Sequence, residues 1–311
     1  MNFSKLGYIS KWYMRQIITK ITKKELEHEL YPDTVSLSID EANKCIAKAI
    51  NSNIPFMAGR FGANELNVAW RANEAHSRWD VSANKAMYHL HHGAGFFPQD
   101  NTLGLKFAKE MQEATKQVDL LAVWNRPMED YFIKCWAKKP LGVCSLRGIE
   151  PFFSNEPWTT ALEGKRVLII HPFNETIQFQ YEKRKLLFKR KDLLPDFQLI
   201  TQKAVQTIAG NKDDRFETWF DALDFMYAEA MKNEFDVAIL GCGAYGFPLA
   251  AKLKQAGKVV IHMGGSTQLL FGIRGKRWDE NPAYVNLPNE WWVRASEQPQ
   301  NARTVEDGCY W

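Results

Sequence analysis

A chain of 311 residues has room for one large α/β domain or two ordinary ones, and 45% hydrophobic with 24% charged residues is the balance of a globular protein with a sizeable core. The formal net charge of +4 is too mild for a dedicated nucleic-acid binder, whose basic residues would dominate a face. Five scattered cysteines make no C-x-x-C pair or zinc-ligand spacing, so they read as thiols of a reducing cytosol.

Residues 1–24 carry Lys5, Lys11, Arg15, Lys20, Lys23 and Lys24 and no acid, interleaved with Leu6, Tyr8, Ile9, Trp12, Tyr13, Ile17, Ile18 and Ile21. That pattern fits a basic amphipathic helix on an anionic membrane surface, and equally a leading helix packed on the domain with a solvated basic face. No apolar run is long enough to span a bilayer, and no secretory signal is evident. The expected setting is therefore cytoplasmic, with peripheral contact at the inner face of a membrane if residues 1–35 take the first of these two roles.

From residue 36 onward apolar runs alternate with helical patterns. Residues 41–51 predict a helix, with Ala42, Cys45, Ile46, Ala49 and Ile50 at the spacing of a buried stripe. A short strand at 54–58, a helix from Glu65 to 72, a helix over 103–118 and strands at 119–124 and 141–145 follow. Further strands are expected at 166–170 and 197–201, the first followed by a basic helical stretch reaching Lys191. The bracket of Lys183-Arg-Lys185 and Lys189-Arg-Lys191 around Leu186-Leu-Phe188 reads as a solvated helix face, or as a surface for an anionic lipid or diphosphate. Residues 213–232 predict a long helix carrying Phe216, Phe220, Leu223 and Tyr227. Strands alternating with helices of this length predict an α/β fold: a doubly wound, mostly parallel, Rossmann-like sheet with helices on both faces. The tail 281–311 differs, with Pro282, Pro288 and Pro299 breaking any long helix and Trp291, Trp292, Tyr310 and Trp311 as aromatic anchors. Such a tail packs over the core, or its aromatics line a sugar site.

The most informative stretch is 235–278. An apolar run, Asp236-Val-Ala-Ile-Leu240, leads into Gly241-Cys-Gly-Ala-Tyr-Gly246; a helical segment and a second run, Lys258-Val-Val-Ile-His262, lead into Gly264-Gly-Ser-Thr267. Strand, glycine turn, helix, strand and second glycine loop present backbone amides to a phosphate-bearing ligand. Gly241, Gly243 and Gly246 also match the dinucleotide fingerprint, which keeps an NAD(P)-dependent oxidoreductase open. Against it, the following strand should end near an acid that holds the ribose, and none appears before Asp279. The glycines could also serve only tight turns and close packing.

Gly59-Arg-Phe-Gly-Ala-Asn-Glu65 follows the strand at 54–58. Gly62 permits a sharp turn, and Asn64 and Glu65 fall in the first turn of the next helix. There a carboxylate ligates a metal, acts as a base, binds ligand hydroxyls or merely complements the helix dipole. Arg60 is a candidate phosphate ligand or an ordinary ion-pair partner. His171-Pro-Phe-Asn-Glu175 ends a strand, where ligands of parallel sheets collect, making His171 and Glu175 candidates or structural groups. His89, His91 and His92 form a cluster without an evident acid partner.

Taken in order, the segments Arg60-Phe-Gly-Ala-Asn-Glu65, Leu162-Glu-Gly-Lys-Arg-Val-Leu-Ile-Ile170 and Leu240-Gly-Cys-Gly-Ala-Tyr-Gly246 resemble bacterial glycosyltransferases of the GT-D fold, and in particular a relative from polysaccharide biosynthesis. The likeness spans roughly residues 36–278. It implies a nucleotide-sugar-binding catalytic domain over 36–280, flanked by the basic segment 1–35 and the packed tail 281–311. The implied donor is a nucleotide sugar, UDP-sugar first, and the acceptor a glycan or lipid-linked glycan, with no nucleic acid. On this reading Glu65 is the base or ligand organiser, with His171 and Glu175 as further catalytic candidates. Arg60, Arg274, Lys276 and Arg277 face the diphosphate. Gly62, Asn64, Gly241, Gly243, Gly246, Gly264, Gly265, Ser266 and Thr267 complete the donor site. One departure bears on metal. Ala63 stands where the family has the Asp of Asp-x-Glu, and a methyl group ligates no cation. Asn64 could supply an oxygen, or Arg and Lys could neutralise the leaving diphosphate unaided. A non-catalytic nucleotide-binding protein is the remaining alternative.

Overall fold

A run such as Val237-Ala-Ile-Leu240 has no polar residue for either face, so a strand made from it must be covered on both sides. The computed structural model, which describes residues 3–22, 31, 33–72, 81–304 and 307–311, meets that requirement. Eight strands form one sheet: β1 (Thr34–Ser36), β2 (Phe56–Arg60), β3 (Leu120–Val123), β4 (Leu141–Ser145), β5 (Arg166–His171), β6 (Gln198–Lys203), β7 (Val237–Leu240) and β8 (Val259–His262). Their spatial order is β1-β4-β3-β2-β8-β7-β5-β6, and every described pairing in it is parallel. The expected α/β class with helices around a parallel sheet is thus what the chain adopts.

The two-residue period of a strand sorts these runs between two cores. Met57, Leu168, Ile170, Ala238, Leu240 and Val260 face one side, where they meet Leu66 of the helix Ala63–Ala72, Met111 of Leu103–Thr115 and Leu249 of Gly246–Gln255. Phe56, Ala58, Val167, Ile169, Val237, Ile239, Val259 and Ile261 face the other, with Ile46 of Ile39–Ser52 and Ile177 of Asn174–Glu182. Burying each such Val or Ile contributes about 1.5–3 kcal/mol.

Boundaries move where a cap intervenes. The helix expected over 213–232 is Trp219–Met231, because Thr218 closes a capping box: its Oγ1 accepts from Asp221 N at 3.4 Å while Asp221 Oδ2 accepts from Thr218 N at 2.8 Å. Ser38 and Glu41 cap Ile39–Ser52 in the same way. The basic stretch to Lys191 is helical only over Asn174–Glu182 and Arg184–Leu187. Beyond it, Arg190 leaves any helix face and donates to the carbonyls of Ser154 (2.6 Å) and Asn155 (2.9 Å). The strand expected at 54–58 starts at Phe56, which puts Arg60 at its carboxyl end. Helices Val81–Ala94 and Glu129–Trp136 had no assignment from sequence.

The N-terminal helix, Phe3–Thr22, docks beside Glu129–Trp136. Tyr8 lies edge-on to Tyr131 at 5.4 Å, Trp12 Nε1 donates to Asn125 O at 2.8 Å, and Arg15 pairs with Asp130 at 3.3 Å. Lys23 and Lys24 of the basic segment lie outside the described residues. In the tail, strand β10 (Val293–Arg294) pairs in parallel with β9 (Ile273–Arg274), and the buried Trp292 donates to Leu187 O at 2.7 Å. Among the described residues no helix is long and apolar enough to cross a membrane.

Candidate functional site

Successive strands run outward from β2 to β3 and β4 on one side, while β5, β7 and β8 fill the other, so β2 and β8 adjoin at a topological switch point. The carboxyl ends of strands at such a point leave a crevice. Here it is a cleft of about 180 Å³, and Arg60, Trp124, His171, Gly241 and His262 reach its wall from the ends of β2, β3, β5, β7 and β8.

Arg60 brings the positive charge. Its guanidinium lies 4.4 Å from the centre of the Trp124 ring, which also carries the Arg126 guanidinium at 3.7 Å. Trp124 is held by its Nε1–H, donated to Phe61 O at 3.0 Å. None of the described ion pairs uses Arg60. The loop after β8 passes over it: Gly264 sits at φ 63°, and a Cβ there would lie 3.8 Å from Arg60 Cδ. Gly264 is thus glycine for its backbone, in the left-handed region that side chains avoid.

Glu65 supplies the one carboxylate on the described wall of the cleft. It stands in the first turn of Ala63–Ala72 and folds back over Gly62, where any Cβ would collide with its carboxyl group. Burial pushes its pKa up, opposed by its own backbone N–H and by the Arg60 charge. Asn64 lines the same wall, with Gly93 left bare to admit its amide. The protein side chains therefore offer one carboxylate, the Asn64 amide and Ala63's methyl where a divalent cation draws several oxygens. Among the described residues no three His, Cys, Asp or Glu come together as a metal group. Two of the three clustered histidines meet backbone: His91 Nδ1 lies 2.7 Å from Phe96 O, and His92 Nε2 lies 3.2 Å from Thr304 O. This donor set does not fit a protein-held cation.

The glycine turns divide. Gly241, Gly243, Gly264 and Gly265 lie on the cleft wall, whereas Gly246 does not. A Cβ on Gly246 would enter the His262 ring, and one on Gly241 would fall 2.6 Å from His171 Cδ2. Close packing of two histidines accounts for those two positions, so only part of the fingerprint faces a ligand. Ser266 and Thr267 also turn inward: Ser266 donates to Met263 O (3.0 Å) within the loop, and Thr267 donates to Leu240 O (3.1 Å), which ties the loop to β7.

Both histidines are buried and neutral. His171 Nδ1 accepts from Phe173 N at 3.0 Å, which leaves the ring proton on Nε2 at the cleft wall. Burial lowers its pKa to about 3, with Glu297 opposing weakly. His171 is accordingly a fixed hydrogen-bond donor near neutral pH and not a proton shuttle. His262 is also lowered to about 3, by burial and then by the Arg60 charge, against the Leu240 carbonyl that bonds the ring. A folded-state pKa below the unfolded value near 6.5 means stability is complete above that value and lost as pH falls toward 3. Each unit of descent in that window costs up to about 1.4 kcal/mol per ring. Glu129, raised to about 7 chiefly by burial, contributes with opposite sign between the ordinary carboxylate range and 7. Urea titrations from pH 7.5 to 4.5 are therefore expected to show a shallower acid loss for His262→Gln than for the wild type; equal slopes would mean that this ring takes up no proton on unfolding.

The remaining candidates fall outside the cleft or serve it indirectly. Glu175 is exposed, and its backbone N–H donates to Glu297 Oε1 at 2.9 Å. Arg274 is tied to Asp279 at 3.1 Å, and neither it nor Lys276 lines the wall. Arg277 does, donating through Nη1 to Tyr310 OH at 3.3 Å. The wall also contains Trp124, Tyr245, His262 and Gln268, for which the sequence suggests no role, and Tyr310 and Trp311, two of the tail aromatics that the sequence offers as anchors on the core or as the lining of a sugar site. Trp124 directly follows an apolar run, and the rule that ligands gather past strand ends points to it. For Tyr310 and Trp311 the signal is their place in an aromatic-rich tail.

No family model matches the chain, and no curated protein matches it. Solved structures similar to it include one described as "Selenomethionine substituted structure of domain of unknown function 1792 (DUF1792)", 12% identical over 88% of this chain and 94% of that one, with a TM-score of 0.45. Another, described as "The highly conserved domain of unknown function 1792 has a distinct glycosyltransferase fold", shares the same identity and coverage with a TM-score of 0.43. Likeness this distant brings no activity to this chain.

Proposed function

We propose that the cleft binds a nucleotide sugar, UDP-sugar first, and transfers its glycosyl group to a hydroxyl of a bacterial surface glycan or its lipid-linked precursor. The observation that supports this most is the meeting of Arg60, outside any described ion pair, with the Glu65 carboxylate and two glycine turns at one strand-end crevice. In the reaction the acceptor oxygen bonds to the anomeric carbon as the bond from that carbon to the diphosphate oxygen breaks. The electron pair leaves with the diphosphate, and the acceptor proton passes to Glu65. Arg60 and Arg277 stabilise the departing charge, with backbone N–H groups at Gly243 and Gly265 beside them. His171 Nε2–H donates to a ligand oxygen, and Trp124, Tyr310 and Trp311 offer flat faces to base or sugar. The ordered resemblance of three segments to GT-D enzymes agrees with this reading.

The dinucleotide reading retains the strand, glycine turn and helix of 237–255. It conflicts with the end of β8, where a ribose-binding acid belongs and where His262 instead packs its ring over Gly246. Thermal unfolding with UDP, GDP and NADH separates the two. Saturation at 100 times Kd adds about 2.7 kcal/mol, a shift of several degrees, and it is expected for a nucleoside diphosphate and not for NADH. The reverse pattern would replace the transferase by an oxidoreductase, while hydrolysis of a UDP- or GDP-sugar separates an enzyme from a passive binder.

A further inference from the structure

We infer that the N-terminal helix seats its outer face on an anionic lipid surface, lying in the plane of the membrane. The helix Phe3–Thr22 has two unlike sides. Tyr8 and Ile9 pack against the core, Trp12 donates to Asn125 O and Arg15 pairs with Asp130, so one side is committed to the domain. The opposite side carries Tyr13, Met14, Ile17, Ile18 and Ile21, which recur at helical spacing as one stripe and stay 43–76% exposed. Single exposed apolar residues are ordinary, but a continuous stripe of five on one helix marks an interaction surface.

Charge selects the occupant. At 100° per residue, the exposed Lys11 and Lys20 fall on the two edges of the stripe. The first 24 residues hold six basic side chains and no acid. Two copies of this chain joined through the stripe would bring their Lys11 and Lys20 edges against one another, like charge to like charge. Anionic headgroups neutralise them while the apolar stripe enters the acyl boundary. The helix is not long and apolar enough to cross the bilayer, so it lies on the surface. It is tethered at Asn125, next to Trp124 of the cleft wall, which holds the docked face and the cleft in one continuous structure. The docking is independent of the chemistry assigned to the cleft.

Sedimentation of the full chain with phosphatidylcholine vesicles, with and without phosphatidylglycerol, tests it without any turnover. The wild type is expected to pellet with the anionic vesicles and to be released by high salt. Ile17→Glu with Ile21→Glu is expected to lower the partition at least about tenfold. Lys11→Glu with Lys20→Glu, at two exposed side chains, is expected to remove the preference for anionic lipid. Unchanged melting temperatures keep the comparison one of folded proteins. Absence of wild-type binding, wild-type levels of binding by both double variants, or a wild-type dimer that the isoleucine variant converts to monomer would each overturn the proposal.

Discussion

Replacing Glu65 by Gln is expected to lower glycosyl transfer by about 10²–10⁴-fold with the melting temperature and nucleotide affinity nearly unchanged, because general-base assistance is worth that much and glutamine keeps the shape. The carboxylate is the one acidic group on the described cleft wall, folded over Gly62 and facing the same space as Arg60. Burial raises its pKa above the ordinary carboxylate value. A base must be deprotonated, so kcat/KM should rise with pH through that raised value and level off above it. The same acid limb should vanish from the residual activity of the variant. Initial rates across pH 4–8 with a UDP-sugar donor give both readings. Full turnover by Glu65→Gln would remove the residue from the mechanism and leave proton transfer to solvent or to the donor itself.

Arg60→Ala is expected to weaken UDP binding about 10–100-fold, the loss that goes with a charge-assisted hydrogen bond worth about 1.5–3 kcal/mol. None of the described ion pairs neutralises this guanidinium, and Trp124 orients it at 4.4 Å. Arg60→Lys keeps the charge but loses the planar fork and much of the stacking, so an intermediate affinity is expected. Calorimetric titration of UDP against the three proteins at low and high salt measures the series. Salt should weaken the wild type more than Arg60→Ala. Affinities within twofold of one another would place the diphosphate elsewhere on the wall, with Arg277 next to be tested.

How much of this site is legible in the sequence depends on how far apart along the chain its parts lie. Arg60, Gly62 and Glu65 belong to one strand–turn–helix unit, so their nearness follows from local geometry. The turn after β7 is legible for the same reason, since an apolar run ending in Gly241 can only break there. What misleads is function by proximity in sequence. Ser266 and Thr267 sit beside Gly264 and Gly265, yet the carbonyls of Met263 and Leu240 take their hydroxyls. Arg274 sits near Arg277, yet Asp279 holds it outside the cleft. Gly246 belongs to the fingerprint, yet a histidine from the next strand occupies the space beside it. For Thr267 and Gly246 the deciding partner lies on another strand, and for Ser266 and Arg274 it lies three to five residues away, outside any motif the pattern marks.

By itself the sequence determined that these runs are strands buried on both faces, joined by helices, with glycine turns at two strand ends. A strand of Val, Ile, Leu and Ala has no other stable environment, and a period of two assigns its side chains to opposite cores. Only the tertiary structure decided which strands are neighbours. Backbone hydrogen bonds between parallel strands are nearly indifferent to side-chain identity, so nothing in β2 names β8 as its partner. That pairing brings Arg60 beside His262 and opens the crevice, and the return of the tail brings Tyr310 and Trp311 to the wall that Arg60 lines.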